Sequence, residues 1–304
     1  MMHKIKNFMD NQSGSTLILF SFLLVGLLGM IGLVMDGGTL FVSKTHLQKT
    51  ANAAVLSGGQ ALFSEEQTVN DIVTKILNAH NENTSLNALT IEMGNKITVN
   101  LRKEVPLSFL PLFGFSKVPV EATATSLVVP MGSGRGVAPL GIDEGIPLVF
   151  YQSYKLKVDQ TEVSAGNFGI LALEGPGAKT YEDNLRSGYS GEIQIGDIIE
   201  TQTGNIAGKT RTVIDERINA CSYPGDIDHS DCSRILLVPI YQPYNYTSNQ
   251  LKEVKITGFA YFYILEPMHI NDTSITGMFI KRVGTGFGDE NSINGGAYTI
   301  RLTK

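Results

Sequence analysis

STLILFSFLLVGLLGMIGLVM, from Ser15 to Met35, is a run of 21 residues without an ionised side chain, flanked by Asp10 and Asp36. As a helix it spans about 31 Å at 1.5 Å per residue, the thickness of a bilayer's hydrocarbon core. The fold therefore starts from a membrane anchor, which puts the rest of the chain on one side and excludes most soluble enzyme classes. A secretory signal would carry an apolar region of about 7–15 residues ending at a small-residue cleavage site. This run is longer and closes on Gly32-Leu-Val-Met-Asp36, so we read an uncleaved signal anchor. Lys4 and Lys6 before the run are matched by Lys44 and Lys49 after it, and the lysine count alone is a tie. The expected arrangement is a single pass of the cell membrane, with residues 1–13 a cytoplasmic tail, residues 14–36 the transmembrane helix and the bulk extracytoplasmic.

Beyond the run, apolar or small residues recur at Leu40, Leu47, Ala51, Ala54, Val55 and Ala61 with polar residues between them, and no proline occurs before Pro106. That pattern extends the helix to about Phe63 as an amphipathic rod, with Gly37-Gly38 as a bending point at the membrane exit. Ser64 reads as an N-cap with Gln67 as its capping-box partner, opening a helix that displays Val69, Ile72, Val73, Ile76 and Leu77. The period then changes to two. Leu89–Met93 and Lys96–Leu101 alternate around Gly94-Asn95, Pro106–Phe113 is a compact apolar patch, and Val118–Val129 is β-rich. Residues 37–129 are expected as a small α+β unit.

Pro130-Met-Gly-Ser-Gly-Arg-Gly-Val-Ala-Pro139 reads as a linker. From residue 140 to 304, β-prone runs at Pro147–Tyr151, Phe168–Leu173, Arg234–Ile240, Val254–Leu265, Met278–Val283 and Ala297–Leu302 are separated by Gly, Pro, Asn and Asp clusters. They predict a mostly antiparallel β domain, so the fold class is α+β. The net charge of −5 and the absence of any basic cluster exclude a nucleic-acid surface. Cys221 and Cys232 stand in a turn-rich segment; if exported they can form one disulfide worth about 3 kcal/mol, the alternative being two buried thiols.

Gly14-Ser15, the run ending Leu27-Leu28-Gly29-Met30-Ile31-Gly32-Leu33-Val34-Met35-Asp36, and the continuation Leu47-Gln48-Lys49-Thr50-Ala51-Asn52-Ala53-Ala54 resemble the N-terminal segment of TadE/TadG-like proteins. The resemblance extends to Val105–Ala124, and beyond Pro139 it is softer, at Gly166-Asn167-Phe168-Gly169, Gly196-Asp197 and Thr203-Gly204. It implies a bitopic component of a tight-adherence, or Flp, pilus assembly system. It also implies partners among other pilus-assembly or pilin-like membrane proteins besides membrane lipid, with a homo-oligomer open. A processed prepilin is expected to carry Glu five residues past its cleavage glycine, where this chain has Leu19. That departure favours a permanent anchor over a fibre subunit.

Helix packing is expected at Gly26, Gly29 and Gly32, whose spacing opens a groove for another membrane helix, and at Asp36, Leu47, Gln48, Ala51 and Ala54. Other features favour plainer readings. Gly204-Asn-Ile-Ala-Gly-Lys-Thr210 is one residue short of a phosphate-binding loop and reads as a β-turn. Asp226, Asp228, His229 and Asp231 lack the Ca²⁺-loop pattern and read as solvated turn residues. Asp272-Thr-Ser-Ile-Thr276 is similar to a metal-dependent adhesion motif but ends on Thr outside the required fold, so no metal and no cofactor are expected. The chain has no Gly-x-Ser-x-Gly, His-Glu-x-x-His or Cys-x-x-Cys; its five histidines stand alone, and Asp289-Glu290 sits in a Gly-rich loop. A non-enzymatic assembly factor, anchor or minor pilin-like subunit is the expectation. The alternative is a membrane-tethered adhesin or envelope-polymer-binding module unrelated to pili.

Overall fold

The apolar run is the first half of one helix, α1 (Gln12–Gly59), of 48 residues and about 72 Å. It continues through Gly37-Gly38 without a break. The computed structural model describes residues 12–157, 169–202, 206–229, 231–247, 250–271 and 273–303. The fold is mixed α+β, with 33% helix and 41% strand. Most of the tail at 1–13, the Gly166-Asn167-Phe168 stretch, Gly204 and Asp272 lie outside the described residues.

Two units partition the chain. The first holds residues up to Val55, Val73–Thr90 and Thr98–Ala124; the second holds Leu56–Ile72, Ile91–Ile97 and Thr125–Lys304. The boundaries cut through continuous elements: α1, the following helix α2 (Glu66–Ala79), and the strands β1 (Leu86–Glu92), β2 (Lys96–Pro106) and β3 (Lys117–Val137). In the first unit the strands lie in the order β1-β2-β3. Alternate residues bury one face of this sheet, Val99 and Leu101 on β2 and Val120, Ala122 and Ala124 on β3, the period of two expected of a half-covered sheet. Leu47, Ala51, Ala54 and Val55 of α1, Val73 and Leu77 of α2, and Val105 and Leu107 at the end of β2 are buried in the same unit.

Ser64 and Gln67 do not make the expected capping box. The helix starts at Glu66, and Gln67 donates instead to Asp71 Oδ1 at 2.8 Å. Residues 130–139, read as a linker, are strand as far as Val137. Their glycines serve close packing rather than a hinge. A Cβ on Gly132 would collide with Asp289, and one on Gly134 would meet Leu237 and Met131.

The second unit continues with β4 (Leu140–Asp143), β5 (Ser153–Lys157), β6 (Gly169–Ile170), α3 (Ala178–Ser187), β7 (Tyr189–Gln194), β8 (Ile198–Glu200) and α4 (Ala207–Ala220). It ends with β9 (Ile235–Thr247), β10 (Gln250–Ile264), β11 (Ser274–Ile280), β12 (Arg282–Val283), β13 (Gly286–Gly288), β14 (Ile293–Gly295) and β15 (Ala297–Thr303). Its spine is the antiparallel series β9-β10-β11-β5, flanked by antiparallel pairing of β3 with β15 and β7. Parallel pairs are short, such as β4 with β9 and β14 with β10.

Both faces of β10 are buried. Ala260, Phe262 and Ile264 enter one core with Tyr181 and Leu185 of α3 and Val213 and Ile214 of α4. Phe259, Tyr261 and Tyr263 enter another with Met131 and the two cysteines. A strand covered on both faces reads as a continuous apolar run, as Gly258–Leu265 does. Pro147–Tyr151, expected as a strand, precedes the real one at Ser153–Lys157.

Candidate functional site

From Leu17 to Met35 the large apolar side chains of α1 are 46–75% exposed. A helix apolar on every side needs an apolar environment, and its own chain does not supply one here. This part of α1 is the chain's candidate membrane span among the described residues, and it supports a membrane anchor.

Burial begins at the end of the run. Gly32 and Asp36 are buried, Leu40 and Ser43 are half-buried, and Leu47, Thr50, Ala51, Ala54 and Val55 are buried. These positions form one helical stripe at steps of three and four. Asp36 is 2% exposed, and its carboxylate is spent on backbone: Ser108 N donates to Oδ1 at 2.8 Å, and Phe109 N and Leu110 N donate to Oδ2 at 2.9 and 2.7 Å. The chain folds this way locally because Pro111 and Gly114 force a tight 3-10 turn at Leu110–Phe113, whose first amides have no carbonyl to bond. Asp36 supplies the missing acceptor.

The three glycines separate. Gly26 and Gly29 have open space around them, whereas the Phe109 ring lies against Gly32 so closely that any Cβ would strike it. Gly32 is thus occupied by the chain itself. Gln48 donates to the Thr123 carbonyl at 2.9 Å and Asn52 Oδ1 at 3.0 Å, and Lys44 bonds the Glu121 carbonyl. Nearby, buried Glu82 accepts from Lys103 and Ser85, with His46 at 3.6 Å. Burial alone would raise the Glu82 carboxyl, but those donors hold it below its ordinary range.

Leu47, Ala51 and Ala54 are 1%, 0% and 0% exposed, so the structure uses them as core. The side chains free on this stretch are Phe41 and Val42, at 71% and 66%. Sequence reasoning missed them because they break the apolar stripe rather than complete it.

In the second unit, Cys221 and Cys232 are bonded, with Cα atoms 4.9 Å apart. Within the turn between them Asp226 Oδ1 accepts the amides of Asp228 and His229 and Tyr223 stacks on His229, while Arg282 donates to the Ile227 and His229 carbonyls and the Gly225 amide donates to the Tyr263 hydroxyl. Lys209 and Thr210, read as part of a β-turn, are helical in α4. Lys209 pairs with Glu182 at 2.6 Å, and Thr210 meets the Tyr181 hydroxyl at 3.0 Å. Hydrogen bonds from Lys209 and then Arg186 pull the Glu182 carboxyl from 4.5 to about 2. Asp289 bonds Asn291, and Glu290 pairs with Arg301 at 2.6 Å. A cleft of about 720 Å³ in this unit is walled by Arg135, Tyr261, Arg282 and the Gly284–Gly286 backbone. No group of three or more His, Cys, Asp or Glu side chains positioned to hold a metal occurs among the described residues.

No curated protein and no solved structure matches the chain. One family does, under the description "Putative Flp pilus-assembly TadE/G-like", over residues 14–61. The matched segment begins one residue before the apolar run and ends two residues beyond α1. Residues 14–61, the exposed apolar run together with its packed continuation, are similar to the TadE/G-like segment of the Flp pilus-assembly family, a match that supports a role related to pilus assembly.

Proposed function

We propose that the protein is a membrane-anchored, non-enzymatic component of a tight-adherence pilus assembly system, with its N-terminus cytoplasmic and its folded bulk outside. It acts as an assembly factor or anchor, or as a minor pilin-like subunit. The observation that carries this reading is the division of α1 within the family segment: an uncovered apolar half, then a half whose stripe is buried in the first unit. Such a helix can wait in lipid and exchange lipid for neighbouring membrane helices along Gly26 and Gly29 while its folded unit stays intact. The absence of Glu at Leu19 favours the permanent anchor. Three of the second unit's acids fit a scaffolding role, Glu182 and Glu290 being tied into ion pairs and Asp289 into its own turn.

The test is the non-reducing mass of the protein recovered from native membranes and from sheared surface fibres. An intact N-terminus confined to membranes supports the anchored factor. A species beginning at Ser15 in the fibres means a processed subunit, and recovery from neither a pilus complex nor fibres favours a tethered adhesin.

A further inference from the structure

Between Glu104 and Lys117 the sequence VPLSFLPLFGFS holds no ionisable side chain. This loop leaves β2, turns through Leu110–Phe113 and returns into β3, and its own unit leaves much of it bare. Leu112 is 82%, Phe113 68% and Phe115 61% exposed.

Its attachment to α1 decides what covers them. Phe109 rests on Gly32, where a Cβ would come within 2.6–2.8 Å of its side chain, and Gly32 lies inside the outer end of the apolar run by about 5 Å of helix. The loop's amides at 108–110 are bound by Asp36, the first residue past that run. The loop is therefore fixed at the level where acyl chains meet headgroups, whichever way the helix is oriented.

Irregular backbone tolerates that layer only if its amides are satisfied internally. Here they are: besides the three on Asp36, Leu107 N bonds the Ser116 carbonyl at 3.2 Å. The carbonyls of Phe109, Leu110 and Pro111 take the amides of Leu112, Phe115 and Gly114, each at 3.1 Å. Pro106 and Pro111 have no amide hydrogen to place. Lys117 follows, exposed, where an ammonium can reach lipid phosphate.

We propose that the Leu107–Phe115 loop is a second, monotopic membrane contact, with Leu112, Phe113 and Phe115 seated in the acyl–headgroup boundary beside the anchor helix. This rests on α1 being the anchor, so the experiment tests both.

The chain has no tryptophan, which makes single-Trp variants of the full-length protein clean probes. Phe113→Trp, Leu112→Trp and Val25→Trp are reconstituted separately in phosphatidylcholine–phosphatidylglycerol vesicles carrying lipid brominated near either the headgroup end or the methyl end of the acyl chain. Both loop variants are expected to emit to the blue of free tryptophanamide and to be quenched most by the shallow bromine, while Val25→Trp is quenched most by the deep one. Loop emission at the tryptophanamide wavelength without quenching, with Val25→Trp still quenched, overturns the loop contact alone. Loss of quenching at Val25→Trp overturns the anchor and the loop contact with it. Blue-shifted loop emission that bromine leaves untouched, and that dilution into empty vesicles shifts to the red, means a second protein copy covers the loop and overturns the lipid assignment.

Discussion

Replacing Leu47 by Ala separates two roles for the packed half of α1. Leu47 is 1% exposed in the first unit. Truncation to Ala removes three methylene-sized groups, about 2.4 kcal/mol at roughly 0.8 each. The cavity left beside a helix held by Gln48 and Lys44 cannot fully collapse, which takes the cost to about 3 kcal/mol or more. At about 2.1 cal/mol/K of unfolding entropy per residue, a chain of 304 residues should lose roughly 5 °C of melting midpoint. On the anchor reading, membrane retention should not change, because the exposed apolar run is untouched. The assay is thermal unfolding of detergent-solubilised protein, read with co-purification of pilus components at a temperature where the variant is still folded. The paired variant Phe41→Ser, at an exposed site, should leave the midpoint within about 1 °C. An unshifted midpoint for Leu47→Ala, with loss of co-purifying partners, would mean that the stripe serves a partner helix rather than this chain's own core.

Reducing the Cys221–Cys232 bond releases a short loop and should cost about 3 kcal/mol by loop-closure entropy, seen as a lower melting midpoint with reductant and a mass gain of two hydrogens; an unchanged midpoint refutes that contribution. Glu182 titrates at about 2 in the folded chain against 4.5 ordinarily, so its stabilisation is complete above 4.5 and is lost as pH falls toward 2. Glu182→Gln should therefore flatten the acid side of the stability profile, and an identical profile counts against the Lys209 and Arg186 pairing. Gly277→Ala would drive a methyl into the Phe262 ring and the Tyr263 carbonyl and should cost about 1–3 kcal/mol, measured by denaturant midpoint, whereas wild-type stability would show that this strand pair has room to yield.

The anchor was legible because its signal is local: 21 uncharged residues need no tertiary context. The stripe at Leu47, Ala51 and Ala54 was equally visible, but periodicity tells which face is covered and not by what. Pro130–Pro139 misled because Gly and Pro are turn signals on average, while here Gly132 and Gly134 admit side chains against a strand. The helices α3 and α4 were hidden in a β-rich stretch because each offers few apolar positions, Tyr181 and Leu185 on one and Val213 and Ile214 on the other. The Asp36 clasp joins residues more than 70 positions apart. Its only trace in the sequence is a carboxylate closing an apolar run and a distant twelve-residue segment with no charge.

That separation also sets a schedule for biogenesis. Asp36 emerges with the membrane helix, but its first partner amide, Ser108, lies 72 residues later, roughly 4–14 s of synthesis at 5–20 residues per second. If α1 inserts as it emerges, the carboxylate is left to water during that interval, and its charge opposes deeper insertion of the helix. On the anchor reading, the Asp36 clasp can close only after residues 108–110 have been made, so the helix end gains its lock last.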